Sequence, residues 1–449
     1  MFTCRQASHD LSRARQQLPS SERISGPESS LSAWRALVSP GGALAVLLAL
    51  IWLPTLRWGF IEDDFWQVPL TWHDFLDNPF QIQGRPVWFL TIVALPKNAL
   101  AHRALSYALY VACLALALYV ARRYRLSPWA AVLALAAFSH PAFLWSVTWI
   151  AQRNDLLLLI FLLLALAARS AVGTTSAVVL STAAKSPYVF HGLVFAARFV
   201  RERRLAAAAV CIAAVAGFTA AGYVTYYQIS THHETLASPG IPLVVAALAR
   251  LAKIAEGTFF VFAPIPAFAA NIWLPILAAL LYAGAWFVVL RTVRRSRLKA
   301  ASFLGGVALA TIFPFAFASD LRIAAPASVV IYLTAALAIE PTTRLPVRVS
   351  IVGLVALNLA GIALNYGMFR SAVYDICAQP VLITAGDTPA SKFNIWRDDI
   401  RYRVLHALGV KTERRIVERR NGEPPPLRRD MEPITGVRIP TRARCRRRR

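Results

Sequence analysis

The chain has 449 residues, of which 57% are hydrophobic and only 16% are charged. An ordinary soluble domain carries about a quarter charged residues, so a chain this apolar cannot cover a surface that faces water. The composition therefore excludes a soluble globular protein and predicts an integral membrane protein. The net charge of +25 does not point to nucleic acid here, because most Lys and Arg residues lie in short runs between apolar stretches, as in loops that face anionic lipid.

The pattern of apolar residues favours helices over strands. A bilayer leaves open sheet edges without hydrogen-bond partners, and the apolar runs are too long and too even for the alternating strands of a barrel. We therefore predict an all-α fold, a polytopic transmembrane helical bundle with about 11 spans.

The predicted elements begin with a polar, Ser-rich and basic stretch over residues 1–34, which we interpret as a disordered cytoplasmic tail. The run 37–56 is too long for a signal-peptide core and predicts a retained first span. Residues 35–366 form the predicted membrane domain, and 367–449 a basic, mostly irregular, non-cytoplasmic tail with one short helix over 396–408. The further apolar runs lie near 104–121, 128–149, 155–168, 172–184, 187–199, 205–228, 272–290, 300–317, 324–339 and 349–366.

Basic residues cluster in every second connection between these runs, near 122–125, 169, 198–204, 291–299 and 344–348. The positive-inside rule then places these connections and the amino terminus in the cytoplasm, with the chain in a bacterial inner membrane. This parity requires residues 172–197 to cross as a hairpin of two short arms. An arm of about 12 residues rises only about 18 Å against a hydrocarbon core of about 30 Å. Lys185, at the hairpin tip, is therefore expected to be buried and to need an anionic partner.

The other connections face outwards, and two of them contain predicted interfacial helices. Residues 86–96 are apolar but too short to span a bilayer. Residues 243–262 carry Arg250, Lys253 and Glu256 at three-residue spacing, which indicates one polar face on an apolar helix.

The first outer connection contains three adjacent carboxylates, Glu62, Asp63 and Asp64, flanked by aromatic residues. They repel one another, so the pKa of at least one is expected to be raised unless a cation lies nearby. Such a group can accept a proton from a hydroxyl, and the pair Asp63 and Asp64 can hold a divalent cation. A solvated helix cap after the first span remains the alternative.

Several cationic or polar residues lie in the same outer connections: Arg85, His140, Arg153, Asp155, Lys185 and Arg322. Arg153 can bind phosphate through paired donors, or it can form a capping pair with Asp155. Arg85 can instead be an interfacial anchor, and Arg322 with Asp320 allows the same two interpretations as Arg153 with Asp155. Carboxylates and cations at one membrane face describe a site for a lipid-linked phosphate beside a general base.

These residues resemble the GT-C superfamily of membrane glycosyltransferases, especially exoplasmic O-mannosyltransferases and their bacterial relatives. The stretch 59–64 is similar to the acidic pair of the family's first outer loop, and 84–87 is similar to its Arg-Pro element. Residues 140–157 resemble its stretch from His-Pro to Arg-x-Asp-Leu-Leu. Lys185 lies in a tip like the family's Ser-Lys-Glu, and 320–322 is a looser match to a late Glu-Arg element.

The resemblance implies a polyprenyl-phosphate sugar donor and an inverting transfer to a glycan, lipid or protein acceptor. It implies that Asp63 is the general base and Asp64 its partner or a metal contact, while Arg153 and Lys185 hold the donor phosphate. The chain departs from the family pattern at Trp145, where the family has Glu, and at Ser186, which replaces the Glu after the lysine. Tetratricopeptide repeats are also missing.

Two other functions fit the same sequence. A transporter or flippase for a lipid-linked substrate would usually carry ionisable groups near the midplane and related halves, which this sequence does not show. A non-catalytic membrane scaffold of the same fold is compatible with Trp145 in place of the acidic residue.

Overall fold

A computed structural model describes residues 39–57, 67, 70–80, 84–185, 190–229, 273–294, 297–312, 324–339, 344–374, 381–384 and 414–417. These residues are mostly helical, so the predicted all-α architecture is confirmed at that level. In chain order the helices are α1 (Pro40–Trp52), α2 (Trp72–Asp77), α3 (Pro86–Val93), α4 (Ala99–Arg123), α5 (Pro128–Ala136), α6 (Phe143–Thr148), α7 (Arg153–Ala167), α8 (Ala171–Ala184), α9 (His191–Arg201), α10 (Leu205–Ile229), α11 (Trp273–Leu290), α12 (Leu298–Ile312), α13 (Ala324–Ala338) and α14 (Leu345–Tyr374).

Five of the described segments are long and apolar enough to cross a membrane. They are Pro40–Arg57, Ala99–Arg123, Ile150–Ala167, Leu205–Gly222 and Leu345–Ala363. Shorter apolar helices lie at Pro128–Ser139, Ala171–Ala184, Leu277–Leu290, Ala301–Ile312 and Ala325–Ala338. These lengths and compositions are consistent with the predicted integral membrane protein.

The hairpin predicted around Lys185 is present as two separate helices, α8 and α9. They approach closely at Gly192 of α9, where an added Cβ would lie 3.1 Å from Val178 Cγ1 of α8 and 2.7 Å from Val215 Cγ2 of α10. The buried Ser181 hydroxyl, in α8, lies 2.6 Å from Nε2 of the buried His191 at the start of α9. A hydrogen bond therefore joins the two arms on either side of the tip.

The apolar run near 128–149 is not one helix. Helix α5 continues as one 3-10 turn over Ala137–Ser139, and α6 begins only after His140 and Pro141. Proline cannot donate a backbone hydrogen bond and its ring obstructs a preceding helical turn, so the chain breaks there. The break places His140 between two buried helical segments.

The basic connections meet at one face of the bundle, which we call the basic face; it comprises the described chain near 122–129, 168–169, 198–204, 291–303 and 338–348. Two hydrogen bonds join these segments: Arg123 Nη2 donates to the Ala168 carbonyl (3.2 Å), and the Arg294 amide donates to the Ala338 carbonyl (3.0 Å). Two guanidinium groups also lie over aromatic rings. That of Arg348 is 5.6 Å from the Trp129 ring centroid, and that of Arg198 is 5.5 Å from the Phe303 ring centroid. The predicted parity of the helices is consistent with this shared face.

A buried polar network joins the late helices to the break before α6. The Asn358 amide nitrogen in α14 donates to the Ala136 carbonyl (3.1 Å) and the Ser139 hydroxyl (3.2 Å), and it lies 3.2 Å from the Tyr332 hydroxyl. The Tyr332 hydroxyl in turn lies 2.6 Å from that of Tyr282. Hydrogen bonds between apolar helices stabilise their packing, so this network fixes α11, α13 and α14 against the turn that precedes His140.

Two short strands of the tail, β1 (Val381–Thr384) and β2 (Arg414–Val417), pair in parallel. The predicted tail over 1–34, the interfacial helix over 243–262 and the tail helix over 396–408 lie outside the described residues.

Candidate functional site

Three predicted site residues, Arg153, Asp155 and Lys185, are buried charged side chains around the start of α7, and we call them the charged cluster. Arg153 and Asp155 lie in the first turn of α7, and Lys185 directly follows α8. All three are almost completely buried. The structure therefore brings together side chains from two connections that are distant in sequence.

The anionic partner expected for Lys185 is Asp155. The Lys185 ammonium forms a buried salt bridge with Oδ1 of Asp155, and the Ser146 hydroxyl donates to Oδ2 of the same carboxylate (3.1 Å). A buried ion pair is tolerated only when its geometry and remaining hydrogen bonds offset the loss of hydration. Both carboxylate oxygens of Asp155 have a donor, which meets that requirement.

Arg153 makes hydrogen bonds with two helices around α7, namely α3 and α4. Its Nε donates to the Ser106 hydroxyl (3.0 Å), and Nη1 lies 3.2 Å from the Thr91 hydroxyl and 3.3 Å from its carbonyl. Its Nη2 lies 2.9 Å from the His102 carbonyl and 3.2 Å from His102 Nδ1. Since a guanidinium can only donate, Nδ1 of His102 accepts, and the proton of the neutral ring is on Nε2.

Helix α3 supplies Thr91 to the cluster. It was predicted to be an interfacial helix, and its eight residues are too few to span a bilayer. One face packs against the bundle, because Trp88, Phe89, Ile92 and Val93 are buried, while Leu90 is exposed. The Trp88 indole nitrogen donates to the Ile150 carbonyl just before α7 (3.2 Å).

The structure also describes two further predicted site residues, Arg85 and His140. Arg85 is at the N-cap position of α3, where its side chain makes no capping hydrogen bond, and it is half-buried. His140 is buried, and its Nδ1 accepts the Ala142 amide (3.1 Å), which shapes the break before α6. Trp145, at the position of the family's acidic residue, packs against Trp149 with ring centroids 5.4 Å apart.

Glu62, Asp63, Asp64 and Arg322 lie outside the described residues. Asp63 and Asp64 precede Gln67 by four and three residues in the sequence. Gln67 is buried, and its amide oxygen has no hydrogen-bond partner in the part of the chain that the structure describes. Among the described residues no group of three or more His, Cys, Asp or Glu side chains is arranged to hold a metal ion.

The described half of the first connection is fixed to the bundle at several points. The Lys97 ammonium donates to the Leu70 carbonyl, and the rings of Phe75 and Phe89 pack edge to face with centroids 5.2 Å apart. The next residue after Lys97 is Asn98, which caps the start of α4. One turn later in α4 lies His102, which Arg153 contacts. The connection after the acidic triplet is thus held next to the helix end that also contacts the charged cluster.

Two titratable groups of this connection have shifted pKa values. Hydrogen bonds from the Thr71 hydroxyl and amide lower the pKa of Asp74, which forms a capping box at the start of α2. Burial lowers the pKa of Lys97, partly opposed by the Asp74 carboxylate. Both shifts follow from the way this connection is anchored.

Sequence reasoning missed the groups that complete the charged cluster: Thr91, His102, Ser106 and Ser146. Each is a single polar residue in an apolar stretch, and nothing in its spacing indicates a partner.

Comparisons of the chain with protein-family models, with curated proteins and with solved structures gave no match.

Proposed function

We propose that this chain is a membrane glycosyltransferase of GT-C type, which transfers a sugar from a polyprenyl phosphate to an acceptor on the outer side of a bacterial cytoplasmic membrane. The charged cluster is the observation that carries the proposal. Two cations and one carboxylate are expensive to bury in a membrane protein, and such groups usually mark a functional site.

In the proposed reaction the Asp63 carboxylate accepts the proton of an acceptor hydroxyl. The hydroxyl oxygen forms a bond to the anomeric carbon of the donor sugar, while the bond from that carbon to the phosphate oxygen breaks. The polyprenyl phosphate leaves with the electron pair, and the configuration of the anomeric carbon is inverted. Cations beside the phosphate stabilise the charge that develops on it.

Lys185 is the cation best placed for this role. The Asp155 carboxylate occupies the position of an anion beside the Lys185 ammonium, and a donor phosphate would compete for the same ammonium. Asp155 would keep its hydrogen bond from Ser146 during such an exchange. Arg153 would keep the start of α7 in place through its contacts with α3 and α4.

The proposed membrane arrangement follows from the basic face. If that face is cytoplasmic, the charged cluster and the first connection are outside, where a lipid-linked donor and an acceptor can meet. The shorter apolar helices would then complete about 11 crossings, with helices α8 and α9 forming the short pair.

The proposal is tested by transfer of radiolabelled sugar from polyprenyl-phosphate donors in isolated membranes. We expect Asp63→Asn to lower the rate about a hundredfold or more, as is typical for loss of a general base. Asp77→Asn is the matched control, because Asp77 is an exposed carboxylate of the same connection, with its Oδ2 2.9 Å from Nδ1 of the exposed His73. Full activity of Asp63→Asn would rule out the assigned base.

A non-catalytic scaffold is a second candidate, and one observation favours it. Arg153 has hydrogen-bond acceptors and Lys185 has an ion-pair partner within the protein, so neither side chain needs a ligand to be accommodated. A scaffold would support its cellular role with Asp63 and Asp64 both changed to Asn, whereas the transferase would not.

A further inference from the structure

Two arginines of the basic face have a left-handed backbone conformation. Arg125 has φ 51° and Arg203 has φ 57°, and among the described residues other than glycine they are the ones with positive φ. Each lies just after a helix, since α4 ends at Arg123 and α9 ends at Arg201. The same unusual conformation therefore occurs at two helix ends on the same face.

Both arginines occupy a position that glycine normally fills. The Leu126 amide donates to the Ala121 carbonyl (2.9 Å), and the Arg204 amide donates to the Phe199 carbonyl (2.8 Å). These bonds close the helix ends in the way that requires one left-handed residue, and glycine is favoured there because it has no Cβ. A helix end alone does not explain why the residue is arginine at both places.

The surroundings of these arginines indicate the edge of the hydrocarbon. Arg125 and Arg203 are exposed. Val200 and Leu205, on either side of Arg203, are 51% and 65% exposed. Exposed apolar side chains on membrane helices face lipid tails, so Arg203 is at the depth of the head groups, and Arg125 lies on the same basic face.

The nearby charges favour an anionic partner. Arg122 and Arg123 are exposed beside Arg125, and Arg201 and Arg204 are exposed beside Arg203. The acidic residue at the second helix end is Glu202, which forms ion pairs with Arg198 (2.8 Å) and Arg204 (3.6 Å). Both helix ends therefore keep a net positive charge.

We propose that Arg125 and Arg203 bind the head-group phosphates of anionic phospholipids. A planar guanidinium forms paired hydrogen bonds with a phosphate, and an unfavourable backbone conformation that persists at an exposed position indicates a function for the side chain. The proposal concerns the basic face and does not depend on transferase activity.

The test uses the purified full-length protein in a neutral detergent and measures its thermal midpoint with added phosphatidylglycerol, with phosphatidylcholine, and with inorganic phosphate. The variants are Arg125→Gly, Arg203→Gly and both together. Arg125→Lys and Arg203→Lys keep the charge. Arg169→Gly is the matched control, because Arg169 is an exposed arginine of the same face without positive φ.

We expect each glycine variant to raise the midpoint without lipid by roughly one to two degrees, because glycine suits the left-handed backbone. We also expect about fivefold weaker binding of phosphatidylglycerol for each arginine removed. Arg169→Gly should give no rise without lipid and less than half of that loss in binding. The lysine variants keep the charge but lack the paired donors, so they should keep only part of the lipid response.

An unchanged phosphatidylglycerol response in the double variant would overturn the proposal. So would an equal loss in Arg169→Gly, since the charge of the face would then act without specific sites. A response to inorganic phosphate equal to that to phosphatidylglycerol would show that a dissolved anion, and not a lipid, is the partner.

Discussion

Lys185 shows how far a single residue can be predicted from a membrane sequence. Its place at the tip of two short arms predicted that it is buried and that it needs an anion, and both expectations are confirmed. The identity of the anion did not follow, because Asp155 lies 30 residues away and a capping pair with Arg153 was equally plausible. Only the packing of α8 against α7 brings the two together.

We predict that removing one partner of this ion pair destabilises the protein more than removing both. Lys185→Met leaves a buried carboxylate without its cation, and Asp155→Asn leaves a buried ammonium without its anion, each at a cost of about 3–5 kcal/mol. The double variant should lose less than either single variant. Thermal unfolding in detergent compares the stabilities of the unchanged protein, the two single variants and the double variant.

The exposed ion pair of Arg198 and Glu202 provides the control for this experiment. Its two side chains are 47% and 35% exposed, so Glu202→Gln should change the stability by less than about 0.5 kcal/mol. Additive losses in the double variant of Lys185 and Asp155 would show that the two side chains do not interact.

His191 gives a second prediction at this scale. Its Nε2 lies 2.6 Å from the Ser181 hydroxyl, which also lies 2.8 Å from the Val178 carbonyl. If the hydroxyl donates to that carbonyl, the ring must donate to the hydroxyl. The amide of Gln reaches the position of Nε2, whereas the amide of Asn reaches only that of Nδ1.

We therefore expect His191→Gln to keep most of the stability and His191→Asn to lose about 1–3 kcal/mol. A double-mutant cycle that combines each His191 variant with Ser181→Ala, followed by thermal unfolding, measures the interaction energy between the two side chains. Equal losses for the two amide variants would mean that packing of the ring, and not its hydrogen bond, holds the arms together.

The elements themselves were predicted better than their surroundings. An apolar run depends only on residues that are neighbours in the sequence, so it can be recognised without knowing the packing. Every predicted apolar run contains a helix in the structure. The burial of α3 and the donors around Arg153 depend on which helices are neighbours, and a single sequence does not encode that in any spacing. The run near 128–149 is continuous in hydropathy, although His140 was assigned to an outer connection, because hydropathy does not register the break that Pro141 imposes.

Contact between two elements at Gly84 yields a sharp prediction. Gly84 has φ 68°, and an added Cβ would lie 2.4 Å from the Cα of Gly222 in α10. Gly84→Ala should therefore cost at least about 2 kcal/mol, from the left-handed backbone and from overlap with α10. Thermal unfolding in detergent provides the measurement.

Gly217, in the same helix α10, is the matched control, because an added Cβ there meets nothing within 4 Å. Gly217→Ala should be neutral or stabilise the helix by about 0.5–1 kcal/mol. Similar losses for the two variants would show that α10 does not pack against Gly84 as described.

For the molecule as a whole, the shared face of the basic connections predicts which residues lie on the same side of the membrane. In a variant without native cysteines, His73→Cys should react with a membrane-impermeant maleimide in intact cells. Arg169→Cys should react only after the cells are opened. Both side chains are exposed, so access to the reagent and not burial decides the result.

Labelling of both positions from the same side would contradict the parity of the helices. Labelling from opposite sides in the reverse order would keep the parity and invert the orientation. The candidate site was predictable only in part, since the burial of Lys185 and its need for an anion followed from the sequence, whereas the identity of its partner Asp155 did not.

The bond from Asn358 to Ser139 joins positions 219 residues apart. During synthesis the turn before His140 therefore leaves the ribosome long before its partner helix exists. Its hydrogen bonds to Asn358 can form only after α14 has been synthesised. A chain that stops before Asn358 would contain every residue of the charged cluster and still lack the bond that holds the turn before His140.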